Sequence, residues 1–225
     1  MSADIWHCNC LNVFHVTLEI FESKLKSTAK IRIPTKNLIL AGEPVSEDEL
    51  PKFLTIKHSE DDCVDLHDFF TFVYPVISER FRDFLLRFDI GDTRFVPIDI
   101  YQSDGVTKRA ERYFILNIVS QKECLVPEET HTSFAIKIKD GFWLATDMRK
   151  DDQLAVRGSA REGADLWVDP RLRGDLFLSD RLHAALRDSD LRPYNTPDRV
   201  ASLAAGGLTP YFVTARCKIV DAPGD

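Results

Sequence analysis

The sequence has few cysteines, glycines and prolines, and it lacks any long apolar run. Its 225 residues include 5 Cys, 10 Gly and 11 Pro. The cysteines (Cys8, Cys10, Cys63, Cys124, Cys217) are odd in number and scattered, so no disulfide framework is legible and reduced thiols are expected. The low Gly and Pro content, beside 29% charged residues, excludes collagen-like and linker classes. No stretch approaches the eighteen apolar residues of a membrane-spanning helix. The segment Met1 to Cys10 mixes Asp4, Trp6, His7 and Asn9 and has no apolar core of a secretory signal, so a cytoplasmic chain away from membranes is expected. A strong basic cluster is also missing. The densest, Lys108, Arg109 and Arg112, is interrupted by Glu111, which disfavours the phosphate backbone of DNA or RNA as a ligand. The 44% hydrophobic content is enough for a sizeable core, and no Gly/Ser- or Pro-rich linker divides the chain. A single domain over 1–225 is therefore expected, and the charged stretch 147–165 is where a boundary would fall.

Acidic charge is present and localised. Residues 43–68 hold Glu43, Glu47, Asp48, Glu49, Glu60, Asp61, Asp62, Asp65 and Asp68 against Lys52 and Lys57, which equals the net charge of −7 of the whole chain. The remainder carries equal numbers of acids and bases. Such a segment suits a basic partner, although solvated acidic loops also serve solubility.

Local patterns point to an α+β fold, mostly antiparallel sheet with hairpins and a few amphipathic helices. Phe14, Val16, Leu18 and Ile20 alternate as in a strand, and Ala29, Ile31 and Ile33 continue that alternation. Residues 95–101 and 112–119 read as adjacent strands around an Asp104-Gly105 loop. Phe134, Ile136 and Ile138, Asp140-Gly141, then Phe142, Trp143 and Leu144 read as a tight hairpin with Ile138 opposite Trp143. Tyr211, Val213, Ala215, Cys217 and Ile219 form a half-buried strand. Ser78 caps a helix that buries Phe81, Phe84, Leu85 and Phe88 and that Gly91 can end. Ser179 caps a second, burying Leu182, Ala185 and Leu186 and exposing His183. The two starts echo each other, Val76-Ile77-Ser78-Glu79-Arg80-Phe81 against Phe177-Leu178-Ser179-Asp180-Arg181-Leu182. Convergent capping accounts for this as well as duplication does.

No catalytic constellation emerges. His7, Cys8, Cys10 and His15 are the nearest approach to a zinc set, but Cys-x-Cys lacks the usual spacing, and the stretch reads instead as a terminus leading into a strand. Ser179 and His183 are better used as a cap and a polar-face residue. Gly206-Gly207 lacks the flanking strand and lysine of a phosphate loop. The pairs Asp61-Asp62 and Asp151-Asp152 read as solvated carboxylates. No cofactor or metal is expected. A small hydrolase or metal-dependent enzyme using His7, Cys8, Cys10 or the Asp pairs is the alternative reading.

Ordered along the chain are Leu40-Ala41-Gly42-Glu43-Pro44, Asp68-Phe69-Phe70, Val76 to Phe81, Phe95-Val96-Pro97-Ile98, Tyr113-Phe114-Ile115-Leu116-Asn117, Asp169-Pro170 and Leu178 to Leu182. In these stretches, spanning most of 38–192, the sequence resembles a family of bacterial polymorphic-toxin immunity proteins, the myxobacterial-type immunity domain formerly described only as a domain of unknown function. The resemblance implies a non-enzymatic α+β protein that binds and neutralises a cognate toxin domain of a secreted effector, often a nuclease. It transfers no catalytic residues, and the shared positions look like scaffold. A nuclease has a basic groove, so Glu43, Glu47, Asp48, Glu49, Glu60, Asp61, Asp62 and Asp65 are the expected partner-binding residues.

Overall fold

The computed structural model describes residues 3–8, 10–11, 19–21, 29–57, 66–71, 74–102, 104–131, 135–137, 143–145, 150–191 and 214–221. In chain order the strands are β1 (Ile5–Cys8), β2 (Glu19–Phe21), β3 (Phe53–Lys57), β4 (Phe69–Thr71), β5 (Pro75–Ser78), β6 (Arg94–Tyr101), β7 (Tyr113–Asn117), β8 (Ala135–Lys137), β9 (Trp143–Ala145), β10 (Ala155–Arg157), β11 (Leu166–Trp167), β12 (Leu172–Arg173), β13 (Leu176–Ser179), β14 (Thr214–Arg216) and β15 (Lys218–Val220). The helices are α1 (Ala29–Leu40), α2 (Glu79–Leu85) and α3 (Asp180–Arg187). The fold is α+β with mostly antiparallel pairing.

Two sheets organise it. The larger runs β2-β3-β6-β7-β5-β4 and the smaller β11-β13-β1-β14. Their central strands are buried at successive residues, β5 and β7 along their whole length and β13 at three of four, so each sheet has two apolar faces. Ile77, Phe114 and Leu116 face a central core with Phe81, Phe84 and Leu85 of α2, and that core also takes Leu178, Cys8 and Leu182 from the smaller sheet and α3. Val76, Val96, Ile98, Tyr113 and Ile115 face the opposite way onto Ile39, Val45, Leu50 and Leu54. Behind the smaller sheet, Ile5, Phe177 and Cys217 pack on Trp167, Leu172 and Val156.

Both capped helices form where their sequences place them. Ser78 Oγ accepts the Phe81 amide at 3.2 Å, and Ser179 Oγ accepts the Leu182 amide at 3.1 Å. Each serine also donates to a buried aspartate: Ser78 to Asp68 at 2.5 Å, Ser179 to Asp165 at 2.6 Å. The pairing of β6 with β7, Phe95 opposite Leu116 and Val96 opposite Ile115, matches the expected adjacent strands.

Several expectations are corrected. Residues 29–33 belong to α1, not to a strand. Alternation over five residues is too short to separate the two periods, and the residues that α1 buries, Thr35, Ile39 and Leu40, follow helical spacing despite Pro34. The Ser78-capped helix, α2, ends at Leu85 with Leu86 as its cap, and Gly91, at φ 53°, lies in a later turn. In the β8–β9 pair Lys137, rather than Ile138, stands opposite Trp143. That register leaves five residues between the paired positions, an odd number that a two-residue turn does not close. The Asp140-Gly141 turn, residues 12–18 of the first alternation, and Gly206-Gly207 lie outside the described residues. Residues 5–8 are themselves an interior strand, flanked by β13 and β14, rather than a lead-in to one.

Replacing either cap serine removes one hydrogen bond to the helix start and one to a buried carboxylate. Ser78→Ala and Ser179→Ala are each expected to lower unfolding free energy by about 1–3 kcal/mol in urea titrations, with little change in m-value.

Candidate partner-binding surface

The acidic segment begins where α1 ends. Gly42 makes the exit possible: its φ is 78°, and a Cβ there would come within 2.5 Å of Val168 Cγ2. Val45 and Leu50, 1% and 4% exposed, anchor the following stretch in the core. Between them Glu47–Glu49 form one 3-10 turn, with the Ser46 amide donating to Glu49 Oε2 at 3.4 Å. Glu43, Glu47, Asp48 and Glu49 are all exposed. Lys52 Nζ donates to the Glu47 carbonyl at 3.1 Å and stands 4.0 Å from Asp48, an open pair that contributes little stability.

The scaffold under this turn is built from the stretches that carry the family resemblance. Asn117, fully buried on β7, satisfies both sides of its amide against 43–45, donating to the Glu43 carbonyl at 3.1 Å and accepting from the Val45 amide at 2.9 Å. Gln121 Nε2 donates to the Ala41 carbonyl at 3.0 Å. Asp169, also fully buried, accepts the amides of Cys124, Leu125 and Arg171 at 2.8, 2.7 and 2.8 Å. These contacts are architectural and leave the four carboxylates facing solvent.

The predicted acidic set is only partly brought together. Glu43, Glu47, Asp48 and Glu49 share one short surface segment, whereas Glu60, Asp61, Asp62 and Asp65 lie outside the described residues. Asp68, part of the acidic excess, faces inward: it is 6% exposed, holds Ser78 Oγ and stands 3.8 Å from Arg80. The exposed charge is accordingly smaller than the count along the sequence.

A concave surface lies between α2 and α3, a groove of about 850 Å³. Arg80, Asp83, Phe84 and Arg87 line it from α2 and the turn after it, and Ala185, Asp188 and Asp190 from α3 and the residues that follow. Arg80 bridges it to Asp190 at 2.9 Å. Its lining comes from residues a hundred positions apart, and the echo of the Ser-acid-Arg elements was the one sequence signal pointing to it.

The enzymatic candidates among the described residues are dispersed into structural roles. His7 and Asp175, both fully buried, pair at 3.2 Å, and Cys8 and Cys10 are buried in the central core. Among the described residues no group of three or more His, Cys, Asp or Glu is arranged to hold a metal. His15 lies outside them. Burial pushes the Cys124 thiol up to about 12. His183 is buried, not exposed as its helical position suggested: its ring stacks on Trp6 at 3.7 Å, and Nε2 lies 3.0 Å from Thr214 Oγ1. Burial and then Arg187 lower its pKa. Asp151 and Asp152 clasp Arg216, through its amide at 2.9 Å and its guanidinium at 2.7 Å.

The sequence model of the Immunity protein family (Imm11) matches residues 14–198. The chain belongs to that family. The Imm11 match starts earlier than the stretch 38–192 on which the resemblance rested. No curated protein matches the chain. No helix among the described residues of this Imm11 chain is long and apolar enough to cross a membrane.

Asp165 gives the Imm11 scaffold a definite acid response. Burial alone would raise its carboxyl, but hydrogen bonds from Arg181, Ser179 Oγ and the Asp89 amide outweigh that and hold it below the usual carboxylate range. A depressed folded pKa contributes stability above about pH 4 that is lost as pH falls through the folded value. Asp165→Asn is expected to be less stable by about 2–4 kcal/mol at pH 7 and to lose less further stability between pH 5 and pH 2, measured by urea unfolding at each pH.

Proposed function

We propose that this protein binds a cognate toxin domain of a secreted effector in the cytoplasm and neutralises it by protein–protein contact, without catalysis, cofactor, nucleic acid or membrane. Membership of the Imm11 family carries this reading. The toxin is proposed to be a nuclease, and the inhibitory surface to include Glu43, Glu47, Asp48, Glu49, Glu60, Asp61, Asp62 and Asp65. In support, four of these carboxylates are exposed on a turn pinned from beneath by Asn117, Val45 and Leu50. A preorganised acidic turn meets the basic groove of a nuclease without first having to be ordered, and it steers the encounter electrostatically. A stable complex buries on the order of 1,600 Å² in total, so apolar anchors accompany the charges.

The test is association of the purified protein with its cognate toxin domain across a salt series. The rate is expected to fall steeply with salt. A variant with Glu47, Asp48, Asp61 and Asp62 reversed to Lys is expected to bind about 10- to 100-fold more weakly, mainly through slower association, with its unfolding transition unchanged. Unchanged affinity in a folded variant removes this surface from the interface. Recovery of no toxin whose activity returns on stripping the complex removes the immunity reading itself.

A further inference from the structure

We infer that the chain is an internal duplication: two copies of one five-stranded, one-helix unit, related by a pseudo-two-fold axis, with the last strand of the second copy supplied by the N-terminus. The first copy is β4-β5-β7-β6-β3 and the second β11-β13-β1-β14/β15-β10. Strand order and direction agree throughout, including the parallel pairs β3–β6 and β10–β15.

The registers agree residue by residue. Ile77 stands opposite Phe69 and Phe114, and its counterpart Leu178 stands opposite Leu166 and Trp6. Phe114 in turn faces Pro97, and Trp6 faces Arg216. Two residues further, Asp99 pairs with Phe53 and Lys218 with Ala155. Their amides make the same bond, Asp99 to the Lys52 carbonyl at 3.0 Å and Lys218 to the Leu154 carbonyl at 2.8 Å. A slip of one residue at any strand would break this correspondence.

Side-chain roles repeat as well. Asp68 and Asp165 each accept the hydroxyl of the cap serine and, through their carbonyls, its amide at 2.9 Å, and each pairs with the arginine two residues into the motif, Arg80 or Arg181. Arg82 lies 4.5 Å over the Phe114 ring, and its counterpart His183 stacks on the matching Trp6. This explains the burial of His183, which helical periodicity alone did not anticipate.

The relation is two-fold because contacts across the seam are reciprocal. Arg80 of the first copy pairs with Asp190 of the second, while Arg181 of the second holds the Asp165 carboxylate that accepts the Asp89 amide of the first. Arg80 and Arg181, and Asp89 and Asp190, are counterparts. Residues at equivalent positions, Ile77 and Leu178, Phe81 and Leu182, Leu116 and Cys8, Ile118 and Cys10, meet in one central core.

The copies differ in connectivity, and the second has β12 inserted between its second and third strands. In the first copy, residues 102–112, eleven in number, lead from β6 to β7. In the second, β15 ends at Val220 and the strand equivalent to β7 is β1. Arg161 holds the two ends together, donating to the Ala3 carbonyl at 2.9 Å and to Asp221 at 3.3 Å. Joining Asp225 to Met1 places nine residues between Val220 and Ile5, and a Gly-Gly insert makes the link as long as the loop of the first copy.

The test is that closed chain, opened at either of two places. Opened between residues 14 and 15, it gives the second copy the connectivity of the first. Opened between Asp104 and Gly105, it gives the first copy the present connectivity of the second. Both permutants are expected to unfold cooperatively with midpoints within about 10 °C of the parent. Loss of cooperative folding in both overturns the inference. Amide exchange in the unpermuted protein gives an independent readout: residues 5–8 are expected to open together with 176–178 and 215–217. Opening of 5–8 while those strands stay protected also overturns it.

Discussion

The hydrogen bond between a buried aspartate and the serine that caps the next helix governs how this chain turns from sheet to helix. It is made twice, by Asp68 with Ser78 and by Asp165 with Ser179. In each case one carboxylate holds the start of one strand, the end of its neighbour and the first turn of the helix that follows. A buried carboxylate is costly unless it is satisfied, so hydroxyl and guanidinium must converge on it together, joined at Asp165 by the Asp89 amide. Once they do, α2 and α3 lie over β5 and β13, and their apolar faces close a common core.

This arrangement separates what holds the fold together from what is left for recognition. The stretches that mark the family, around Asn117, Asp68, Ser78, Asp169 and Ser179, are engaged in buried contacts. The charge of the connecting sequence differs between the two copies. Between its first and second strands, the first copy has Glu60, Asp61, Asp62, Asp65 and Asp68 with no Lys or Arg, whereas residues 158–165 of the second have Arg161, Glu162 and Asp165. Copies that share a core and differ in the charge of a connecting segment can keep one scaffold while only one of them is adapted to a partner, consistent with the proposed acidic interface.

Elements set by neighbours in sequence were legible, and those set by distant partners were not. The starts of α2 and α3 were readable because a cap serine, an acidic first turn and helically spaced apolar residues act within one turn. The β6–β7 pair was readable from its two apolar runs. The start of α1 was misread because Ala29, Ile31 and Ile33 satisfy strand alternation over a window too short to reveal the helical period. The β8–β9 register was not legible, because a two-residue turn at Asp140-Gly141 would set Ile138, not Lys137, opposite Trp143. Of the candidate interface, the exposure of Glu43, Glu47, Asp48 and Glu49 followed from composition, but the inward turn of Asp68 did not, since it depends on Ser78 and Arg80 meeting it in space.

The sequence by itself determined the α+β class, the two capped helices, the concentration of acidic charge in 43–68 and the resemblance to an immunity family. These follow from short-range chemistry and composition. Only the tertiary structure decided that β1 is an interior strand, that His183 is buried against Trp6, and that the two Ser-acid-Arg echoes are counterparts in a repeated sheet. The reason is that strand partners are chosen by which surfaces meet when the core closes, over separations of more than a hundred residues that no local pattern encodes.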